Sequence, residues 1–193
     1  MAPKKKLVNE IIDLELDMFV NVRSRYPVSC QENPEAFRLH RGSQFLVWSE
    51  ETLLSYRDDL VEAAAKGDNL MTLKYARMEG IIPPLNKNPV IDEIAEMELE
   101  SQKAILERYP NVLARPRPLT DDGSGATSFL AYLKGELETY SDRTLNLLHR
   151  DILECRRSGR NWSEETYNRL MQKLGYESLD DAEKAVIERK LAE

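Results

Sequence analysis

The sequence predicts an all-α protein: a helical bundle built from a tandem duplication of a four-helix unit, with a C-terminal helix appended. Three observations predict this class. Leu, Glu, Ala, Lys, Arg and Met, all good helix formers, dominate the 193-residue chain. Apolar residues recur at spacings of three and four, with no sustained alternation of apolar and polar residues between hairpin turns. The first helical stretch also recurs later in the chain.

The helices follow in order from this periodicity and from the residues that interrupt it. Prolines break the first half of the chain, and the segment RPRPLTDDGSGA, residues 115–126, has the composition of a loop. Ser178 followed by Asp181 matches a capping box at the start of the last helix. The predicted helices span residues 5–25, 34–47, 50–66, 70–79, 90–109, 127–140, 142–157, 163–174 and 179–192.

A repeat organises these helices. A shift of 83 residues superposes LELDMFVNVRSRYP, residues 14–27, on MELESQKAILERYP, residues 97–110. A shift of 92 residues superposes the stretch that begins at Trp48 on the stretch that begins at Tyr140. In each copy a serine and an asparagine are placed to begin helices, and a glycine between them is placed to end one. These residues are Ser49, Gly67 and Asn69 in the first copy and Ser141, Gly159 and Asn161 in the second.

The repeat predicts how the chain is organised. We expect a single compact domain over residues 1–193, with repeat one at about 7–79, repeat two at about 90–171 and the last helix at about 179–192. A short unit of this kind cannot bury its apolar faces alone. The two copies are therefore expected to pack face to face around an approximate two-fold axis.

Composition restricts the classes of partner. Acidic residues outnumber basic ones by 34 to 27, which gives a formal net charge of −7. Because this charge opposes association with nucleic acid or an anionic membrane, we expect neither as a partner. No apolar stretch approaches the roughly 18 residues of a membrane-spanning helix. Cys30 and Cys155 lack the spacing of a disulfide or metal motif. We expect a cytoplasmic protein with free thiols, and homo-oligomerisation is left open.

Two glutamates lie where helix geometry predicts burial. At about 100° per residue, Glu15 falls near the centre of the apolar arc of its helix, and Glu98 does so on the fifth helix. A carboxylate in an apolar interior is destabilising unless it is paired, hydrogen-bonded or protonated. We interpret both as parts of a buried Glu–Arg–Tyr network that sets helix register. The alternative is that they face each other across the two-fold axis and bind a metal ion or a cationic ligand.

Two sources could supply the partners of these carboxylates. Tyr75 and Arg77 recur in the repeat, because a tyrosine and an arginine occupy the matching positions of the second copy. Arg38 and Arg41 do not, because leucines occupy their matching positions. The basic, aromatic-lined face that holds Arg38, His40 and Arg41 is therefore specific to the first copy. If one copy carries a site, we expect it to be the first.

Metal centres and common catalytic motifs are weakly indicated. A di-iron bundle needs Glu-x-x-His on two helices, and neither His40 nor His149 has a glutamate three positions before it. An acidic stripe between Glu93 and Glu107 resembles the magnesium-binding carboxylates of all-helical pyrophosphohydrolases, but a solvated helix face explains it more simply. The sequence contains no phosphate-binding loop, no serine-hydrolase motif and no Cys/His metal spacing. We assign no cofactor and no metal.

The run SCQENPEAFRLHRGSQFLVWSEE, with KYARME and a Pro-Pro pair after it, resembles a known family. This is an uncharacterised bacterial family, domain-of-unknown-function family 4125. The similarity covers most of the chain, particularly Cys30 to Glu79. It implies a cytosolic bacterial protein of unknown activity and brings no known active site.

Two functions of different classes follow as hypotheses. The first is a non-enzymatic binding or interaction module for a small anionic ligand or a protein partner. Its expected ligand-binding residues are Arg38, His40, Arg41, Trp48, Tyr75 and Arg77. The alternative is a divalent-metal-dependent enzyme acting on a phosphorylated small molecule, with Glu15, Glu98 or the acidic stripe at the metal and the arginines at the phosphate. The sequence leaves open whether the protein is an enzyme.

Overall fold

The computed structural model of the protein describes residues 3–22, 33–114, 117–121, 123 and 125–192. Within these residues it contains nine α-helices and no β-strand, which confirms the predicted all-α class. In that part of the chain, no helix combines the length and the hydropathy needed to cross a membrane. The helices are α1 (Pro3–Val20), α2 (Pro34–Phe45), α3 (Glu50–Lys66), α4 (Leu70–Met78), α5 (Val90–Arg108), α6 (Phe129–Leu137), α7 (Asp142–Arg157), α8 (Trp162–Lys173) and α9 (Leu179–Ala192).

Each predicted helix corresponds to an observed helix, and the ends differ by a few residues. α6 is shorter than the predicted 127–140 because Ser128 caps it, its hydroxyl accepting the Ala131 N–H at 3.1 Å. α1 ends at Val20 rather than near residue 25. The first Arg-Tyr-Pro motif, at 25–27, and Cys30 lie outside the described residues.

Polar caps begin most of the helices. The side chains that begin α3, α4, α7 and α8 each accept a backbone N–H of the first turn. They belong to Ser49, Asn69, Ser141 and Asn161. Gly67 and Gly159 follow α3 and α7 in the left-handed conformation, with φ of 79° and 71°. At α9 the Ser178 hydroxyl accepts the Asp181 N–H, and the Asp181 carboxylate accepts the Glu177 N–H, both at 3.1 Å.

Each half of the chain packs around its first helix. α1 contacts α2, α3 and α4, and α5 contacts α6, α7 and α8. The halves meet where α3 packs on α7, α2 on α8, and α4 on α6, while α9 packs on α8. One large apolar core extends through both halves and includes the aromatic rings of Phe45, Trp48, Tyr56 and Tyr140. A smaller core joins α5 and α8 to α9.

Two hydrogen bonds between the halves correspond to each other after a shift of 92 residues along the chain. The Ser49 N–H donates to Asp151 Oδ2 at 2.8 Å, and the Ser141 N–H donates to Asp59 Oδ2 at 3.1 Å. Each aspartate therefore binds the start of a helix in the other half. The serine that begins α3 is tied to α7, and the serine that begins α7 is tied to α3.

The asparagines that begin α4 and α8 show a similar correspondence. Asn69 Nδ2 donates to the Met18 carbonyl of α1 at 2.8 Å. Asn161 Nδ2 donates to the Ser101 carbonyl of α5 at 3.1 Å. The asparagines are 92 residues apart and the two carbonyls are 83 residues apart. In each half, one amide thus caps the fourth helix and binds the first.

Candidate functional site

A buried network of charged side chains lies where α1, α2, α4 and α6 meet. Glu15 of α1 has no solvent-accessible surface. Arg41 of α2 binds it through two N–H groups, Nε donating to Oε2 at 2.7 Å and Nη2 donating to Oε1. The Tyr56 hydroxyl also donates to Oε1, at 2.6 Å. Of the two possible sources of the arginine, α2 therefore supplies it.

Arg41 joins Glu15 to a second carboxylate, Glu136 of α6. Arg41 Nη1 donates to Glu136 Oε1 at 2.8 Å, and Lys74 Nζ of α4 donates to Oε2. The Tyr140 hydroxyl donates to Oε1 at 2.7 Å. Burial alone would raise the pKa of Glu136, but the charges of Arg41 and Lys74 hold it well below its usual range. The network thus pairs two cations with two carboxylates.

The chemistry of this network suits a structural role. Burial raises the pKa of the Tyr56 and Tyr140 hydroxyls well above the usual value, and the adjacent carboxylates add to the shift. Both tyrosines therefore stay protonated and donate hydrogen bonds. Every charged group of the network also has an ion-pair partner on another helix. Such a closed set orients the helices against one another.

Glu98 of α5 lies 83 residues after Glu15, and its surroundings differ. The residue is half-buried and has no hydrogen-bond or ion-pair partner in the part of the chain that the structure describes. Partial burial raises the pKa of the Glu98 carboxyl from 4.5 to about 8, and the negative charge of Glu136 adds to the shift. The positions 92 residues after Arg41 and Tyr56 are Leu133 and Leu148, both buried. The groups that bind Glu15 thus have apolar counterparts in the second half.

The three basic residues expected on one face of α2 point in different directions. Arg41 lies inside the network, with about 10% of its side chain exposed. Arg38 lies on the surface, where its Nη2 is 2.6 Å from Asp13 Oδ1. His40 is exposed. The helix therefore divides Arg38 and Arg41 between solvent and interior, and their joint binding of a ligand stays a prediction.

The other three expected ligand residues differ in burial and in the residues they contact. Trp48 is buried among aromatic rings, with 1% of its surface exposed. Tyr75 is half-buried, its ring centroid 6.3 Å from that of Phe19. Arg77 Nε donates to Glu138 Oε2 at 2.6 Å. Arg77 therefore pairs with a carboxylate other than Glu15, and the grouping of all six residues in one site is not tested by these contacts.

Sequence reasoning missed four members of the network: Tyr56, Lys74, Glu136 and Tyr140. The signal that identifies Glu15 is present for two of them. Lys74 follows Leu70 and Met71 by one helical turn, and Glu136 follows Leu133 by one turn of α6. A charged residue within an apolar stripe predicts burial with a partner. Applied to α4 and α6, the same rule would have found both charges.

A cleft of about 300 Å³ opens between the start of α1, the α2–α3 connection, α7 and α8. We call it the Lys4 cleft. Lys4 Nζ donates to the Leu46 carbonyl at 2.9 Å. Burial lowers the pKa of Lys4, an effect that Asp151 opposes and Arg169 reinforces. The charged residues that line the Lys4 cleft are Lys4, Asp151, Glu154, Arg160, Glu165 and Arg169. Its apolar lining includes Trp48, Cys155 and Trp162.

A second cleft, of about 230 Å³, is lined largely by the residues 92 positions away from those of the first. We call it the Asp59 cleft. Asp59, Glu62 and Asp68 face it, and Lys66 is the basic residue among its described lining residues. Lys66 Nζ is 2.6 Å from Glu62 Oε1. Asp68 corresponds to Arg160 of the Lys4 cleft. The two clefts therefore have similar places in the fold and different charge.

Metal and thiol chemistry find little support in the geometry. Among the residues with described positions, no group of three or more His, Cys, Asp or Glu side chains could hold a metal ion. In the acidic stripe of α5, Glu93 lies 3.1 Å from His149 Nε2 and Glu100 lies 3.0 Å from Arg156 Nη2. Burial raises the pKa of the Cys155 thiol, which disfavours the nucleophilic thiolate.

Comparison with known proteins tests the resemblance. The family described as "Protein of unknown function (DUF4125)" matches residues 5–184. The chain belongs to this family. The match covers both halves and the start of α9, so the resemblance drawn from the motifs between Cys30 and Glu79 is confirmed over most of the chain. No curated protein and no solved structure matches the chain.

Proposed function

We propose that the protein is a non-enzymatic binding module that holds a small anionic ligand in the Lys4 cleft. The observation that carries the proposal is the convergence of three cations on one concave site. Lys4 comes from α1, Arg160 from the α7–α8 turn and Arg169 from α8. Asp151, Glu154 and Glu165 line the same cleft, so its formal charges balance, whereas the chain as a whole has a formal net charge of −7.

Arg160 Nη1 already lies 3.7 Å from Glu165 Oε1, so Lys4 and Arg169 are the cations of the Lys4 cleft that an added anion would meet. The hydrogen bond of the Lys4 ammonium goes to a neutral carbonyl. Asp151 already accepts the Ser49 N–H at 2.8 Å and the Thr52 hydroxyl at 2.6 Å. Burial lowers the pKa of Lys4, the charge of Asp151 opposes this shift, and the charge of Arg169 adds to it because neighbouring cations repel. A carboxylate or phosphate between them would relieve this repulsion and accept charge-assisted hydrogen bonds.

The Asp59 cleft offers a matched comparison within the same molecule. It has a similar place in the fold, but three carboxylates and one lysine line it. The lysine is already paired with Glu62. An anion should therefore distinguish the two clefts, which supports charge rather than shape as the basis of recognition.

Calorimetric titration with inorganic phosphate and short carboxylic acids, at constant ionic strength, tests the proposal. Arg169→Gln removes an exposed cation of the Lys4 cleft and should leave the fold intact. We expect about tenfold weaker binding, as for the loss of one hydrogen bond to a charged group. Lys66→Gln, in the Asp59 cleft, is the control and should bind like the parent protein. Equal binding by Arg169→Gln and the parent, or no binding by the parent, would contradict the proposal.

We also propose that the two four-helix units, residues about 7–79 and 90–171, arose by tandem duplication and form one domain with the last helix appended. The reciprocal bonds of Asp59 and Asp151 support this, since each aspartate binds the serine equivalent to the other's partner. The asparagine bonds that tie α4 to α1 and α8 to α5 support it independently. Matched tertiary hydrogen bonds support a common origin of the two units more directly than similar helix sequences do.

Other expectations from the sequence stay predictions. They are a cytoplasmic location, a bacterial source, a protein partner in place of the small ligand, and self-association as a homo-oligomer. The metal-dependent enzyme is likewise a prediction that no particular contact favours.

A further inference from the structure

Two lysine side chains from other helices lie along α2, one helical turn apart. Lys4 of α1 donates from Nζ to the Leu46 carbonyl at 2.9 Å. Lys173 of α8 lies against Gly42, so closely that a β-carbon on this glycine would be 2.7 Å from Nζ. The Leu46 N–H donates to the Gly42 carbonyl at 3.3 Å, so the two positions are on consecutive turns of α2. The lysines therefore meet α2 at points about 6 Å apart.

Gly42 makes room for the Lys173 ammonium at this seam. A larger residue there would also crowd Ile12 Cδ1 of α1, which would be 3.2 Å from its β-carbon. The ammonium thus lies where α2 packs on both α1 and α8. Lys173 is not among the described residues that line the Lys4 cleft. It extends the positive charge of that cleft along α2, beyond the edge of the cavity.

The charge of Lys173 has no acidic partner in the described ranges, where no carboxylate lies within ion-pair distance of its Nζ. Partial burial lowers the pKa of Lys173, and the positive charge of Lys5 adds to the shift. Arg169 lies one turn before Lys173 on α8 and lines the cleft with Lys4. Cations from α1 and α8 thus repel one another along this seam, and an anion would relieve the repulsion.

The spacing of these cations selects the kind of anion. A single phosphate is smaller than a helical turn, so it can bind at Lys4 and Arg169 or at Lys173, but not at both places. A chain of linked phosphates is long enough to reach both. Lysine binds phosphate as a point charge, and arginine adds paired N–H groups that match the phosphate oxygens.

We propose that the Lys4 cleft and Lys173 together bind a ligand that contains a chain of linked phosphate groups. One phosphate lies between Lys4 and Arg169, and a later phosphate of the chain meets Lys173 at Gly42. This inference rests on the proposed function, because it names the ligand class of the same cleft. It adds a contact residue outside the cleft and a requirement for the length of the ligand.

Calorimetric titration with tripolyphosphate and with orthophosphate, at constant ionic strength and without divalent metal, tests the inference. The parent protein should bind tripolyphosphate more tightly. Lys173→Gln removes an exposed cation and should weaken tripolyphosphate binding about tenfold, as for the loss of one hydrogen bond to a charged group. Its orthophosphate binding should equal that of the parent. Lys66→Gln makes the same change of net charge in the Asp59 cleft and should bind both anions like the parent.

Two results would overturn the inference and leave the proposed function standing. One is tripolyphosphate binding that Lys173→Gln does not change, while Arg169→Gln weakens orthophosphate binding. The other is an equal loss of both anions in Lys173→Gln, which would make Lys173 a general source of positive charge rather than the contact for a second phosphate. A parent protein that binds neither anion would overturn both proposals.

ATP as a further ligand tests whether the phosphate chain alone is recognised. The tryptophans of the Lys4 cleft are buried, Trp48 with 1% and Trp162 with 4% of the surface exposed, so neither offers a face on which a base could stack. We therefore expect ATP to bind no more tightly than tripolyphosphate. Binding of ATP that is tighter by about tenfold, the size expected from one stacked base, would overturn recognition of the phosphate chain alone.

Discussion

Glu15 and Glu98 stand 83 residues apart, and the residues around them decide what each can do. Glu15 receives two N–H groups from Arg41 and a hydroxyl from Tyr56. Glu98 lies within reach of the negative charge of Glu136. One side chain type thus serves as half of a buried ion pair and as a half-buried carboxyl with no partner among the described residues.

Glu15→Gln tests the ion pair. The amide cannot balance Arg41, so we expect the free energy of unfolding to fall by about 3–5 kcal/mol, as when a buried pair loses one partner. Urea unfolding at pH 7 measures it. Asp13→Asn, which removes an exposed acid paired with Arg38, should cost less than about 1 kcal/mol. A Glu15→Gln variant as stable as the parent would show that the carboxylate is kept at a cost to stability.

At the scale of single helices, caps and apolar spacing account for most of the prediction. The starts of α3, α4, α7 and α8 are predictable because Ser and Asn at these positions accept first-turn N–H groups. The predicted end of α1 is too late. Apolar residues continue to Val22, and periodicity alone does not mark where a helix stops when no glycine follows.

Asn161 tests the double role of the asparagine caps. Its Oδ1 accepts the Glu164 N–H at 3.0 Å, and its Nδ2 donates to the Ser101 carbonyl. Asn161→Ala should lower the free energy of unfolding by about 1–2 kcal/mol. Asn161→Asp keeps the acceptor and a favourable charge at the helix start, so its loss should be smaller. Urea unfolding of both variants compares them, and equal losses would mean that the cap contributes nothing.

At the scale of the whole molecule, the contacts between the halves matter most. α3 packs on α7, and Arg41 of one half binds Glu136 of the other. Polar bonds also cross this boundary at the starts of both helices. Separation of the halves would therefore leave charged and polar groups without partners, which favours joint folding.

Asp59→Ala and Asp151→Ala test this joint folding. Each removes the acceptor for a serine N–H across the boundary, and we expect losses of about 1–3 kcal/mol. The loss should be larger for Asp151, which also accepts the Thr52 hydroxyl at 2.6 Å. Urea unfolding followed by tryptophan fluorescence has one reporter in each half, Trp48 and Trp162. A single shifted transition is expected, and two separate transitions would contradict one domain.

Part of the candidate sites could be derived from the chain alone. The place of Glu15 on its helix follows from a rotation of about 100° per residue, so its burial is predictable from the apolar residues around it. The identity of its partner is not. Arg41 and Arg77 are both available, and the choice between them depends on how α2 and α4 pack on α1. Lys4 and Arg169 lie far apart in sequence, so no local pattern indicates that they share a cleft.

The sequence by itself determined the helices and their caps, because these depend on spacing within one helix. It also determined the internal matches at offsets of 83 and 92 residues, because these need only a comparison of the chain with itself. Only the tertiary structure decided which charges meet. In the folded chain Lys74 and Glu136 join the network, and Arg77 binds Glu138. Glu98 lies near enough to the Glu136 carboxylate to interact with its charge. The physical reason is that an ion pair needs contact within a few ångströms, and such contacts between distant segments arise from the packing of many side chains at once.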